Sequence, residues 1–277
     1  MTAKLFDRQV ILQIGQPGQE GRSWSEQRID FQVDYKPGKV GTASIEAYNL
    51  THEALAAAQR PGALVRLLAG YDVPRQLFVG SPLRRDGVAL ERTGPDTILK
   101  VQARDGARRL STTRINLSFA EEVSLVDAVQ EVAHALGVPR RALRVSSERR
   151  LPAGTVLKGP ARKVLHSLLA EESEEWSLVG GALQVLGRKE ATAEPAVVFS
   201  SRTGNLIGSP RRKNRRTIEI TGLLAGELRP GRRFVVELLQ KDGSFQRATY
   251  KAREVSFSGS RWDNDFYVMA TGREVPS

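Results

Sequence analysis

Short runs in which polar and apolar residues alternate constrain the fold of this chain more than any other feature of its sequence. The clearest run is Arg28–Tyr35, where Ile29, Phe31 and Val33 fall on the same side of an extended chain. Because successive side chains of a strand point to opposite faces of a sheet, this alternation predicts a strand with one buried face. Antiparallel sheets with one solvated face contain strands of this kind, so mainly antiparallel β-structure is expected.

Other strands are predicted where short apolar runs end at turn residues. In the first part of the chain these strands are Gln9–Ile14, Thr42–Tyr48, Leu64–Ala69, Pro74–Gly80 and Asp96–Ala103. One short helix, Glu53–Gln59, interrupts them, and Thr51 is its predicted cap. Several short strands with a single helix predict a compact barrel or sandwich of about 100 residues.

The hydrophobic period changes after Asp105. From Ser124 apolar residues recur three and four positions apart as far as Leu136, which predicts an amphipathic helix with Ser124 as its cap. The segments that follow are a short strand at Ala142–Val145, a second helix after Gly159-Pro160, and a hairpin with a Gly180-Gly181 turn. Together they predict a small α+β module.

The last part of the chain is again rich in β-forming residues. Its predicted strands are Ile218–Ile220, Phe234–Leu239, Tyr250–Phe257 and Phe266–Thr271. We therefore predict three domains, residues 1–105, 106–195 and 196–277, with a linker rich in Ala, Glu and Pro at 190–195. The fold class is mainly β with a smaller α+β module.

Composition excludes several classes of function. The chain has no cysteine, which removes disulfides, thiolate metal ligands and cysteine nucleophiles. No segment approaches the roughly 18 consecutive apolar residues of a membrane-spanning helix, and residues 1–9 lack the apolar core of a secretory signal. We expect no membrane-spanning segment and synthesis in the cytoplasm.

The residues that most often perform catalysis form no catalytic pattern. The histidines are His52, His134 and His166, and none has a second metal ligand at a recurring spacing. The paired acids Glu121-Glu122, Glu171-Glu172 and Glu174-Glu175 flank helices, where such charges are usually solvated. Asp263-Asn264-Asp265 lacks the rest of a calcium loop and predicts a polar turn. We predict no catalytic residue, no metal and no cofactor.

The strongest charge feature is a basic cluster, Arg211, Arg212, Lys213, Arg215 and Arg216, in a chain of formal net charge +11. It follows a Gly/Ser/Pro segment, predicted to be a turn, and precedes a predicted strand. Such a cluster can contact phosphates or an acidic partner protein, and no aromatic residues alternate with it as on a stacking platform for single strands. Both interpretations stay open from the sequence.

Several segments of the chain, taken in sequence order, resemble the baseplate hub proteins of phage and phage-like tails. The segments near the beginning are Thr42–Leu50, which ends in Tyr48-Asn49-Leu50, and then Val65–Tyr71, Leu77–Gly80, Gly94–Thr97 and Ala103–Gly106. Those near the end are Thr203–Pro210, Leu223-Leu224, Leu228–Gly231 and Arg261–Tyr267. The last turn departs from the family pattern, because Ser258-Gly259-Ser260 stands where an acidic residue is expected.

The resemblance implies a non-enzymatic structural protein with two tail-tube-like antiparallel β-barrels or sandwiches flanking the helix-containing middle domain. It implies a homotrimeric ring that adapts the hexameric tail tube to the trimeric central spike. The implied partners are the tail tube or distal tail protein, the spike, baseplate wedge proteins and the tape measure protein, with DNA passing through the channel. The implied location is the virion tail baseplate, assembled in the host bacterial cytoplasm.

Two other functions compete with this interpretation. The net charge would also suit a basic nucleic-acid-binding protein. A peptidoglycan-degrading tail component is the second rival, with Glu172 and Glu175 as its candidate acids.

Overall fold

The structure is a computed structural model that describes residues 7–106, 110, 112–144, 148–170, 174–187, 190–239 and 244–275, without the side chains of 140–144 and 174. Its helices are α1 His52–Gln59, α2 Leu125–Leu136 and α3 Ala161–Ala170. The strands of the first part are β1 Arg8–Gly15, β2 Arg22–Trp24, β3 Ile29–Tyr35, β4 Thr42–Tyr48, β5 Leu64–Tyr71, β6 Arg75–Pro82, β7 Val88–Thr93 and β8 Asp96–Arg104.

The remaining strands belong to the middle and the last parts of the chain. In the middle these are β9 Arg114–Phe119, β10 Val123–Ser124, β11 Arg140–Arg144, β12 Arg150–Leu151, β13 Thr155–Pro160, β14 Glu174–Val179 and β15 Ala182–Gly187. In the last part they are β16 Val197–Ser200, β17 Leu206–Asn214, β18 Thr217–Leu223, β19 Arg233–Leu239, β20 Phe245–Ser260 and β21 Phe266–Glu274. The predicted mainly β fold is confirmed.

One large sheet contains strands from both ends of the chain. Its main path runs in the order β17, β18, β21, β20, β3, β4, β8, β6, β5, β1 and β2. The join is an antiparallel pairing of β20 with β3, from Val255 opposite Tyr35 to Ser260 opposite Asp30. Strands far apart in sequence are therefore neighbours at the centre of one sheet.

The alternation of the strands buries one face of this sheet. In β3, the residues Ile29, Phe31, Val33 and Tyr35 are buried, and the residues between them are at least partly exposed. They pack with buried residues of β20 and β21 in one hydrophobic cluster that includes Phe257 and Phe266. Full burial of each such side chain contributes about 1.5–3 kcal/mol, so the alternation itself determines which face is the core.

The middle of the chain has a second hydrophobic cluster. The apolar stripes of α2 and α3 pack against each other and belong to this cluster together with Trp176 and Leu178 of β14 and residues of β15. The predicted cap of α2 is confirmed, because the backbone N–H of Asp127 donates to Ser124 Oγ at 3.1 Å. Gly137 ends this helix with a left-handed φ of 61°, a conformation that glycine adopts without strain.

The contact between this middle part and the large sheet contains several polar interactions besides the packing of Val40 against the middle cluster, and we call it the polar joint. Gln184 Nε2 donates to the Pro230 carbonyl at 2.8 Å, and Lys251 Nζ donates to the Gly187 carbonyl at 2.7 Å. Arg253 Nη2 donates to Glu175 Oε1 at 2.6 Å. The Gly38 N–H donates to the Trp176 carbonyl at 2.9 Å. A side chain at Gly231 would collide with Gln184 and Leu186, so the two parts approach closely there. Polar contacts of this kind are typical of surfaces between units that have separate cores.

Some sequence expectations differ from the structure. Thr51 precedes α1, but its side chain makes no capping hydrogen bond. β5 continues through Gly70 and Tyr71, beyond its predicted end at Ala69, and the chain reverses at Asp72, whose φ is 61°. The short or exposed strands β2, β7, β10, β12 and β13 were not predicted, because their residues lack a strong apolar alternation. β9 was also not predicted, although its Ile115, Leu117 and Phe119 alternate with polar residues. No helix among the described residues is long and apolar enough to cross a membrane.

Candidate assembly surface

The outer face of the large sheet forms one broad polar surface over seven strands, β17, β18, β21, β20, β3, β4 and β8; we call it the polar face. The strand register places its side chains in rows. One row is Leu223, Tyr267, Ser258, Gln32, Ser44 and Gln102. The next is Thr221, Met269, Ser256, Asp34, Thr42 and Arg104. Small and uncharged polar side chains dominate both rows, so the face is hydrated and shallow.

Charges of both signs are distributed over the polar face. The carboxylates of Asp30, Asp34 and Glu46 occupy its centre, and Lys100 lies 3.8 Å from Glu46. The ammonium of Lys100 also pairs with Glu91 at 2.7 Å, and this hydrogen bond raises the pKa of Lys100. Because acids accompany the cations at the centre of the face, positive charge is concentrated at its β17 edge and not at its centre.

Both ends of the sheet path are open strand edges. β17 is one terminal strand and β2 is the other. Most of the side chains of β17 are exposed, from Ile207 to Asn214 except Pro210. An exposed edge carries backbone N–H and C=O groups that pair readily with another strand, unless charge or irregularity prevents it.

The basic cluster lies at this edge. Arg211, Arg212 and Lys213 belong to β17, and Arg215 and Arg216 form the turn to β18, so one hairpin holds all five exposed side chains. The prediction that the cluster precedes a strand is confirmed, because β18 begins at Thr217. The prediction that it follows a turn was wrong, because Gly208, Ser209 and Pro210 also belong to β17. The strand has no apolar alternation to reveal it, and its pairing with Ile218 and Glu219 is irregular. Lys213 pairs with Glu219 at 2.5 Å.

Of the other residues considered in the sequence as candidates for catalysis or metal binding, those that the structure describes lie in different parts of the fold. His52, His134 and His166 are each exposed on a different helix. Glu121 and Glu122 are exposed, and Glu122 pairs with Arg150 at 3.1 Å. Glu171 and Glu172 lie outside the described residues, as does the Glu174 side chain. Glu175 is paired with Arg253 across the polar joint at 2.6 Å, so its carboxylate has a structural partner.

The Asp263-Asn264-Asp265 segment is a turn between β20 and β21, as predicted. Within the described part of the chain, no group of three or more His, Cys, Asp or Glu side chains is arranged to hold a metal ion.

Two surface features were not recognised from the sequence as sites of contact. One is Trp262, in the same turn, whose side chain is 65% exposed. The other is a cleft of about 800 Å³ whose lining includes Arg60, Arg84 and Arg104. Trp262 belongs to a sequence segment that resembles the hub family, but nothing in the sequence indicates that its side chain is exposed. The arginines are far apart along the chain and gave no local signal.

No family model and no curated protein matches the sequence. Among solved structures, the chain is similar to a tail protein from Neisseria meningitidis MC58, with 14% identity over 96% of each chain and a TM-score of 0.63. It is also similar to the 43 kDa tail protein of prophage MuSo2 from Shewanella oneidensis, with 11% identity over 98% of this chain and 99% of that chain and a TM-score of 0.64.

A third similar structure is a component of the type VI secretion system of E. coli, described as structurally similar to the T4 bacteriophage tail proteins gp27 and gp5. The identity is 12%, the match covers 96% of this chain and 77% of that chain, and the TM-score is 0.62. The chain therefore has the fold of phage tail proteins. At the level of the fold, the resemblance to baseplate hub proteins found in the sequence is confirmed.

Proposed function

We propose that this protein is a non-enzymatic structural component of a phage or phage-like tail, the baseplate hub. In this role three copies form a ring that adapts the hexameric tail tube to the trimeric central spike. The observation that carries the proposal is the continuous sheet, which combines strands from both chain ends, has a polar outer face and ends in open edges. Two barrel-like halves in each of three copies would present six similar units to the tube.

The polar face suits the wall of a conduit for DNA. A polyanion slides past a surface when the surface does not hold its phosphates, because binding to DNA comes mainly from clustered cations that release counterions. Asp30 and Glu46 offset the charges of Arg28 and Lys100, which lie 2.9 Å and 3.8 Å from them, and Asp34 adds a further negative charge. The centre of the face therefore has no cluster of unpaired cations to hold phosphates, and the uncharged rows beside it stay hydrated. DNA would pass such a wall without specific binding.

The open edges suit the contacts between copies. In a threefold ring each copy meets its neighbours through two different surfaces, and an edge strand provides such a surface by extending a sheet across the boundary. The partners beyond the ring would be the tail tube or distal tail protein, the central spike, baseplate wedge proteins and the tape measure protein. The protein would be assembled in the host cytoplasm and located in the virion baseplate.

Residues 106–195 would form a middle domain outside the ring that contacts neighbouring baseplate proteins, between barrel domains of residues 1–105 and 196–277. The separate hydrophobic cluster of this part and its polar joint support this arrangement. Baseplates that assemble normally around a chain without these residues would contradict it.

The first prediction concerns the ring. Light scattering should give a mass about three times 30.5 kDa, and class averages in electron microscopy should have threefold symmetry with an open centre. Ile207→Lys, which adds a charge to the exposed edge of β17, should dissociate the ring. The matched control Val156→Lys, on an exposed residue of β13, should leave it intact. A ring of another symmetry, or one insensitive to Ile207→Lys, would contradict the edge contact.

The second prediction separates the hub from a nucleic-acid-binding protein, which the net charge of +11 favours. We expect duplex DNA to bind only in the non-specific range of about 10⁻⁴–10⁻⁶ M at physiological salt. Serine at all five positions of the basic cluster should reduce the salt dependence of this binding. The control replaces five exposed cations elsewhere with serine: Arg92, Arg114, Lys158, Arg162 and Lys163. Sequence-dependent nanomolar affinity would favour the nucleic-acid function instead.

A further inference from the structure

Residues 261–265, which we call the Trp262 turn, present a large aromatic side chain to solvent on a rigid support. Trp262 is the most exposed large hydrophobic residue of the described chain, at 65%. The turn is closed by the Ser260 N–H, which donates to the Asp265 carbonyl at 3.0 Å, and the Asn264 N–H donates to Asp263 Oδ1 at 2.7 Å. An exposed aromatic on a preformed turn binds a partner with little loss of conformational entropy.

The base of the turn is fixed to the first strands of the chain. Arg261 Nη1 donates to the Ser25 carbonyl at 2.9 Å, and Arg8 Nη1 donates to the Asp263 carbonyl. Arg8 also lies over the buried Phe266 ring, 5.4 Å from its centroid. The exposed tip carries Trp262, whose ring centroid lies 5.9 Å from the Arg261 guanidinium, and the carboxylates of Asp263 and Asp265. Arg28 lies 4.0 Å from the Asp263 carboxylate, so Asp265 is the acid of the tip that has no ion pair with another described residue. The tip is therefore aromatic and acidic.

The cleft between the end of α1 and the β6–β7 connection has the opposite character, and we call it the arginine cleft. Its volume is about 800 Å³, and its lining includes the buried Ala58 and Ala63 together with Arg60, Arg84 and Arg104. Backbone hydrogen bonds fix the connection to β8, from the Leu83 N–H to the Gln102 carbonyl at 2.9 Å and from the Gln102 N–H to the Gly87 carbonyl at 2.7 Å. The cleft thus exists before any partner binds.

The arginine cleft is positively charged. Its three arginines are exposed, and none of them has an ion pair with another described residue. Asp86 is the one acid among the described residues that line it. Arginine binds carboxylates through paired N–H groups and stacks on indole faces, so these residues complement both parts of the tip of the Trp262 turn.

The two features lie towards opposite ends of the same strands. Ser260, which precedes the Trp262 turn, is in register with Asp30, Glu46 and Lys100. Arg104, at the end of β8, is four residues beyond Lys100 and therefore about 13 Å from it along the strand. The Trp262 turn extends from Ser260 in the opposite direction along the sheet. The turn therefore faces away from the cleft of its own chain. A contact between the two joins different copies head to tail, which is the heterologous contact that a threefold ring requires.

We propose that the Trp262 turn of one copy docks in the arginine cleft of the next copy. The indole covers the alanine floor between the guanidinium groups, and the carboxylates of Asp263 and Asp265 pair with the arginines at the rim. This contact rests on the trimeric ring proposed above and adds the side chains that determine which surfaces of neighbouring copies meet.

The test uses two variants of the full chain, each with one half of the contact removed. The first variant, Trp262→Ala, removes the indole side chain of the turn. The second combines Arg60→Glu, Arg84→Glu and Arg104→Glu, which reverses the charge of the cleft. In sedimentation velocity each variant should raise the concentration for half-assembly about 30-fold or more, as for a hot-spot contact. An equimolar mixture should form dimers, because the intact turn of one variant meets the intact cleft of the other. The control Val156→Ala, at another exposed apolar residue, should assemble as the wild type does.

A second measurement does not depend on the folding of the charge-reversed variant. The chain has no cysteine, so Asn264→Cys with Asp86→Cys introduces the only two thiols. Mild oxidation should give disulfide-linked dimers and trimers on a non-reducing gel, whereas Asn264→Cys with Val156→Cys should stay monomeric. A ring that persists in Trp262→Ala and forms no such cross-link would refute the docking contact and leave the hub function standing. A wild-type chain that stays monomeric at its highest soluble concentration would refute both.

Discussion

Replacing Phe257 with alanine is expected to lower the free energy of unfolding by about 3–5 kcal/mol and to destabilise both ends of the chain together. Phe257 is fully buried on β20, which pairs with β21 on one side and with β3 on the other. The Arg229 guanidinium lies 5.2 Å from the centroid of its ring. The cavity would open at the join between the first and last parts of the chain, where neither can repack alone.

Urea unfolding gives the size of this effect, and amide hydrogen exchange gives its distribution. In Phe257→Ala the protection of β4 and of β18 should decrease by similar amounts, because both strands belong to one sheet and one hydrophobic cluster. The matched control is Met269→Ala on the polar face of β21, which is 43% exposed and should change stability by less than about 0.5 kcal/mol. Loss of protection in β18 alone would mean that the two ends are independent.

The second large effect concerns Asp105, a carboxyl group with no exposed surface at the point where the large sheet meets the middle part. Burial raises its pKa from the ordinary 3.8 to about 7, while the backbone N–H groups of Gly180 and Gly181 and the charge of Arg229 act in the lowering direction. The folded state therefore binds this proton more tightly than the unfolded state does. The contribution of Asp105 to stability should be greatest below about pH 4, decrease as the pH rises to about 7, and then level off.

Asp105→Asn removes this titration and keeps the shape of the side chain. Above pH 7 the variant should be more stable than the wild type, by at most on the order of 4 kcal/mol, since each unit of pKa shift corresponds to about 1.4 kcal/mol. Melting temperatures at pH 5 and pH 8 measure the effect, with the exposed Asp72→Asn as the control. An unchanged difference between the two pH values in Asp105→Asn would show that other groups determine the pH dependence.

The sequence predicted the parts of the fold that have a local cause. β3 and β4 alternate so regularly that their positions follow from the pattern, and α2 has both its apolar stripe and its cap. β7 was not predicted, because its residues are at least partly exposed and give no such pattern. The pairing of β20 with β3 has no local signal at all, since it depends on two segments at opposite ends of the chain.

The same distinction applies to the candidate assembly surface. The basic cluster is contiguous in sequence and was recognised, although its position on an edge strand was not. The arginine cleft is formed by α1, the β6–β7 connection and the end of β8, so only the folded chain brings Arg60, Arg84 and Arg104 together. Exposure of Trp262 depends on what packs around its turn, which its neighbours in sequence do not determine.

The pairing of β20 with β3 also has a consequence for synthesis on the ribosome. Val255 pairs with Tyr35, so the partner strand emerges about 220 residues later, after about 10 to 40 s at bacterial elongation rates. Throughout that interval β3 has one unpaired edge, and its apolar face lacks the cover that Phe257 and Phe266 later provide. The nascent chain is therefore most prone to aggregation before its last strands are made, and slow translation of residues 106–195 would prolong the hazard.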